Sequence, residues 1–400
     1  MGENITYVSV KCHCGVNSFQ VGFDNAIIPF DVYLCHCNAC RHVSGQMAFY
    51  HVPIIGEPFV GSICPRPVNP KKDLSGYRTS PNSVRYFCAY CSASMLRHTD
   101  NTNWFVAGGA LENKEGIVRL AGHKHIADTM DGGLADQLRI VAGKRLPRFS
   151  HEEGSEEIPD TWRSKEIKSR EEAKKDEKLH AYCHCRSLDF YITRPNELSA
   201  LPYAPYPDAI YPLIQTRLAT LRNRKDEKWW LSPSMHADES GNLVTMDSGE
   251  AVLPDAHTKY LSGHCVCPHC RLGSGFEVQS WSFVSRANVF EKGSAEPLEL
   301  MYEPDRPACL KQHLSSPGKY LEFCGTCGAT CFWWHVGRPD VINVSIGLLD
   351  ELDDGVRAED WLKWHKKRVS FIEKVKLSKE VAQGLVEGMA SYQDPEEKTS

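Results

Sequence analysis

The residues best suited to chemistry are Cys35-His36-Cys37-Asn38-Ala39-Cys40-Arg41, followed by Ser44-Gly45. Three thiols at a C-x-C-x-x-C spacing can share one soft metal ion on a single tight turn. The pattern returns as Cys265-Val266-Cys267-Pro268-His269-Cys270-Arg271, followed by Ser274-Gly275. Three protein ligands leave one tetrahedral position for water or substrate, as in catalytic zinc sites, whereas structural sites take four. Three alternatives follow. Either each triplet is an open metal site, or a fourth ligand drawn from His36, His42, Cys64, His269, Cys309 or Cys331 closes it, with free core cysteines as the remaining reading. The matched Arg41 and Arg271 are the candidate catalytic residues, binding an anion, or else they brace the turn. Three thiolates on a zinc dication give a net charge of about −1, a poor Lewis acid for a carbonyl, but a coordinated thiol is still deprotonated. A metal-held thiolate beside an aldehyde is therefore the natural reactive pair. No Ser-His-Asp order, phosphate loop or dinucleotide fingerprint competes with it.

A second cysteine pattern accompanies the first. C-x-C and C-x-x-C pairs can meet to close a four-cysteine zinc site, Cys12, Cys14, Cys88 and Cys91 in one half and Cys183, Cys185, Cys324 and Cys327 in the other. Such a site is structural, because metal binding supplies folding free energy of about 10–16 kcal/mol in zinc-finger peptides. The expected cofactor is Zn2+, up to two ions per domain. Cys64, Cys309 and Cys331 have no counterpart in the other half and otherwise read as ordinary buried thiols.

The elements that must position these residues recur in one order. A C-x-C turn precedes a strand (Phe19–Phe23; Leu188–Ile192), the triplet precedes another (Met47–Val52; Val278–Val284), and after the C-x-x-C pair comes a last strand (Trp104–Leu111; Val341–Leu349). Alternating apolar residues mark each as a strand. Four motifs repeated in order imply a duplicated domain. The chain divides into a first zinc domain, 5–149, a charged linker, 150–179, a second zinc domain, 180–376, and a polar tail, 377–400. The second carries an insertion at about 194–262, rich in Pro, Tyr and Trp, expected to wall a pocket over the second triplet. The linker is read as solvated, with helix from Arg163 onward. Ala358–His365 is read as opening a C-terminal amphipathic helix, Trp361 and Trp364 sharing a face.

Composition bounds the function. At 42% hydrophobic and 24% charged over 400 residues, the chain can bury sizeable cores. A net charge of −5 speaks against nucleic acid as a partner. No apolar run is long enough to span a membrane. Seventeen cysteines arranged mostly in chelating pairs, with no secretory signal, point to a reducing, cytoplasmic setting. The expected partner is a small thiol or aldehyde-type substrate.

Taken together, Cys12-His13-Cys14-Gly15, Cys35 to Arg41 with Ser44-Gly45, Phe87-Cys88 to Cys91, and Val106 to Leu111 resemble the glutathione-dependent formaldehyde-activating enzyme family, which also includes centromere protein V. The resemblance returns from Cys183 to Leu349, as in a fungal-type tandem member. It implies two small zinc β-tent domains and carbon–sulfur lyase chemistry, the joining of glutathione to formaldehyde as S-hydroxymethylglutathione and its reverse. It also implies that the structural zinc lies in the four-cysteine sets and the substrate-side zinc in the triplets. Ser92 and Arg186 stand where the family has glycine, so one turn in each half is expected to be remodelled. Three functions are compatible with these residues: such a lyase, a glutathione- or partner-binding module without turnover, or a tailoring enzyme acting on a larger metabolite.

Overall fold

Runs of alternating apolar residues separated by tight turns build the chain, and the computed structural model of the protein is mainly β. It describes residues 4–61, 66–69, 74–99, 103–167, 178–214, 222–245, 250–254 and 257–393. Cys64, linker residues 168–177, parts of the insertion (215–221, 246–249 and 255–256) and the end of the tail (394–400) lie outside the described residues.

In the first half, Ile5–Lys11 pairs antiparallel with Ser18–Asp24, burying Val10, Phe19, Val21 and Phe23. A five-stranded sheet runs in the order His51–Pro53, Asn103–Ala107, Ser94–Thr99, Ser83–Cys88, Leu74–Ser80. Phe30–Cys35, which leads into the first triplet, lies parallel to Val118–Lys124. The second half arranges its strands alike. Lys178–Tyr182 pairs with Asp189–Thr193, and Lys259–Cys265, leading into the second triplet, neighbours Gln279–Ser285 in a larger sheet that ends at Leu310–Ser316. The strand expected over Met47–Val52 is regular only from His51, with Phe49 bridging Cys35 just before it.

The helix expected at Ala358–His365 is instead a turn followed by the strand Leu362–Trp364, parallel to Lys259–Cys265. Leu362 and Trp364 are buried with Lys363 between them half-buried, a period of two that wins because an open strand edge is available to pair with. The C-terminal helix lies downstream at Lys379–Ala390, inside the stretch read as polar tail. It buries Val381, Ala382, Leu385 and Met389, and Gly384 and Gly388 let it sit on the backbone of Ile140 and Gln137 in the first half. The linker is also anchored at its start. Ile158 packs with Ile126 and Ala135, Arg163 pairs with Asp354, and residues 163–167 form no helix.

The two halves share one hydrophobic core and meet through matched contacts. Gly109 N–H donates to Gly275 O at 2.9 Å, and Gly347 N–H to Gly45 O at 3.2 Å. Gly45 and Gly275 end the short helices Asn38–Ser44 and Pro268–Ser274 with φ of +75° and +80°, a left-handed cap that glycine adopts without strain.

Candidate metal centres

Each four-cysteine set forms where two hairpin turns meet. Cys12 and Cys14 follow Ile5–Lys11, while Cys88 ends Ser83–Cys88 and Cys91 follows it. Sγ separations are 3.4 Å for Cys12–Cys14 and 3.6 Å for Cys14–Cys88, with 3.5 Å for both Cys183–Cys185 and Cys185–Cys324. A tetrahedron with Zn–S bonds of about 2.3 Å has S···S edges of about 3.8 Å, so both sets fit a tetrahedral ion. The turns hold their shape without the family glycine. Ser92 and Arg186 adopt φ of +64° and +56°, beside +81° for Gly328 and +77° for Gly15, so neither turn is remodelled.

The triplets are built by a strand, a turn and a short helix. Cys35 ends its strand, Cys37 caps the helix with its Sγ accepting from Cys40 N–H at 3.4 Å, and Cys40 lies in the first turn. Cys265, Cys267 and Cys270 repeat this, with Pro268 at the first helical position. Cys35–Cys37 and Cys35–Cys40 separations are 3.4 and 3.5 Å, and Cys265–Cys270 is 3.5 Å. Among the described residues, no histidine, carboxylate or further cysteine joins either triplet. His36 faces His123 at 2.9 Å, His42 stacks on Tyr182, and His269 meets His13 at 2.9 Å. Cys331 Sγ donates to Ala329 O, and Cys309 lies beside the four-cysteine set through its backbone bond to Gly325. Cys64 lies outside the described residues.

Arg41 and Arg271, the expected catalytic pair, reach across to the opposite half. Arg41 donates to Gly347 O and Leu349 O, both at 3.4 Å, and pairs with Glu351 at 2.7 Å. Arg271 donates to Gly109 O and to Leu111 O, the latter at 3.0 Å. With their guanidinium groups bound to backbone carbonyls, the geometry is that of a brace between halves and not of a group facing substrate.

The surroundings of the two triplets differ. Arg85 is buried and donates from Nη2 to Cys40 Sγ at 3.0 Å. Hydrogen bonding with Cys35 and Cys37 holds Cys40 well below the ordinary thiol range against the penalty of burial, and Arg85 adds to that pull. His51 and Arg97 stand nearby, burial keeping the His51 imidazole neutral. Counted from the nearest cysteine, the second half has Leu321 in place of Arg85, Trp281 in place of His51 and Trp333 in place of Arg97. Cys265, Cys267, Trp281 and Leu321 form one apolar cluster, with Cys270, Trp333 and Phe371 against it. A cavity of about 360 Å³ opens beside it, reaching all three cysteines. Its walls come from Pro205–Leu213 of the insertion, the Ser315–Lys319 hairpin and the segment Ser370–Lys374. Trp229 and Trp230 anchor the insertion, buried and donating to Ala204 O and Ser199 O, while Tyr203 and Tyr211 stay exposed. Spacing within the sequence marked the cysteines, but the lining residues are brought together only by tertiary contacts.

No helix among the described residues is long and apolar enough to cross a membrane. No curated protein and no solved structure matches the chain. The family model of the glutathione-dependent formaldehyde-activating enzyme matches residues 7–126, the stretch that holds the first four-cysteine set and the first triplet.

Proposed function

We propose that the two halves are copies of one zinc-binding domain and that the second triplet is the working site of a carbon–sulfur bond-forming and -cleaving enzyme. The observation that carries this is the contrast between the triplets: Cys265, Cys267 and Cys270 border a cavity, whereas Arg85 stands against Cys40. Zinc held by three cysteines supplies acidification of an incoming thiol. The chain does the rest. Trp281, Trp333 and Phe371 exclude water from the sulfurs, and the insertion closes the space above them. In the forward direction the thiol sulfur bonds to a carbonyl carbon, the C=O π pair moves to oxygen, and the thiol proton ends on that oxygen. Glutathione and formaldehyde are the reactants that the family name implies. The cavity has far more room than formaldehyde needs, which favours a bulkier electrophile or thiol. On this reading the four-cysteine sets are structural and the first triplet is a support.

The test is cobalt substitution followed by thiol titration. A change in the metal's absorption is expected with the wild type and with Cys37→Ser, and is expected to vanish in Cys267→Ser. An unchanged spectrum in the wild type at millimolar thiol would remove the reading. Product formation from glutathione and formaldehyde, followed by NMR, then separates an enzyme from a binding module.

A further inference from the structure

The cavity beside the second triplet contains a cation that meets no counter-ion among the described residues. Arg338 lines it and is 2% exposed. Its guanidinium donates to Val341 O and to Asn343 Oδ1, the latter at 2.6 Å, two of the five N–H groups a guanidinium offers. No carboxylate among the described residues forms an ion pair with it. Three rings hold it instead, with Trp333, Phe283 and Trp229 centred 5.3, 5.5 and 5.7 Å from its central carbon. Burial lowers its pKa to about 9, which still leaves it charged at neutral pH. Lys319 and Lys374 also line the cavity. Asp208 is the one lining carboxylate among the described residues, and it is already engaged by Arg368 at 2.8 Å and by the N–H groups of Phe371 and Leu213.

A buried charge is expensive unless something pairs with it. The rings offset part of that cost, and an anion entering the cavity would offset more. Trp281, Trp333 and Phe371 give the cavity flat apolar faces. An aromatic ring fits between such faces. An ammonium group, such as the one on glutathione's γ-glutamyl end, finds no unengaged lining carboxylate among the described residues.

We propose that this cavity recognises a flat aromatic ligand carrying an anionic group, with Arg338 as partner of the anion and Trp281, Trp333 and Phe371 as walls for the ring. The proposal rests on the reading of the second triplet as the working site and names the class of molecule that site takes. The ring and the anion place the ligand's reactive group beside the sulfurs of Cys265, Cys267 and Cys270.

The experiment uses zinc-loaded full-length protein with 2-naphthoate and its uncharged methyl ester as probes, read by calorimetry and by quenching of tryptophan fluorescence. The acid is expected to bind at least tenfold more tightly than the ester. In Arg338→Gln the acid should fall to the level of the ester, with the ester unchanged, and Arg338→Lys should restore part of the preference. Equal affinity of acid and ester in the wild type, or no binding of either, overturns the proposal. Acid binding unchanged in a folded Arg338→Gln overturns it as well. If Arg338→Gln does not fold, the acid–ester comparison decides alone. Failure of the thiol chemistry shows separately, as an unchanged cobalt spectrum with thiols in a protein that still binds 2-naphthoate.

Discussion

Arg85 lies 3.0 Å from Cys40 Sγ, and Leu321 occupies the matching place beside Cys265 and Cys267. Arg85 Nε and Nη1 are buried without a hydrogen-bond partner among the described residues, so the charge of the sulfurs is what makes this guanidinium tolerable there. A zinc ion with three thiolates keeps a net negative charge, which the guanidinium neutralises. Arg85→Leu should therefore weaken metal binding at the first triplet and destabilise the protein by about 3–5 kcal/mol, the usual effect of breaking a buried charge pair. Zinc analysis should find one ion fewer per chain, with the thiol response of the second triplet intact. Retention of all the zinc and an unchanged melting curve would show that Arg85 plays no part in holding the metal. The fourteen cysteines of the four groups were legible from spacing alone, because chelation imposes short, repeated intervals. The arginine-for-leucine exchange was present in the sequence too, but it says nothing until the strand register puts both residues against a sulfur.

The short turns Gly108–Ala110 and Ile346–Leu348 each press on the helix cap of the other half. A Cβ at Gly109 would lie 2.3 Å from Phe276 N and 2.4 Å from Gly275 C, and one at Gly347 would lie 2.4 Å from Gln46 N and Gly45 C. Those neighbours are backbone and cannot swing aside. Gly109→Ala or Gly347→Ala should cost about 3 kcal/mol by overpacking, seen as a lowered midpoint in denaturant unfolding. A midpoint within error of the wild type for both would mean that the halves do not approach this closely. Strands were legible where alternation ran long, as in Phe19–Phe23. They were misread where it was short: Trp361, Leu362 and Trp364 fit a helical face and a strand equally, and only pairing with Lys259–Cys265 decides between them. Of the cavity walls, the one from the insertion was legible as a long Pro- and aromatic-rich stretch, whereas Lys319 and Phe371 were not, because tertiary folding and no local pattern brings them beside the second triplet.

Across the whole molecule, the halves are tied by charge as well as by packing. Glu351 of the second half meets Arg41 of the first at 2.7 Å, with side-chain exposures of 7% and 0%. Burial works against the Glu351 charge, but His42 and Arg41 outweigh it and bring the carboxyl from its ordinary 4.5 down to about 2. His42 Nε2 is 3.6 Å away, too far for a hydrogen bond, so the guanidinium is the main partner. A carboxyl whose pKa is depressed by folding contributes stability that is fully present above its unfolded value and is lost as pH falls through its folded one. For Glu351 the window runs from 4.5 down to about 2, and the contribution above it is about 3 kcal/mol. Acid also protonates the metal-binding thiolates, so wild-type unfolding alone cannot isolate this bond. The difference between wild type and Glu351→Gln can, because loss of metal is common to both. That difference should be about 3 kcal/mol at pH 7, hold to about pH 4.5 and shrink towards pH 2. A difference that stays constant across this range would mean that the Glu351 carboxylate does not couple the halves.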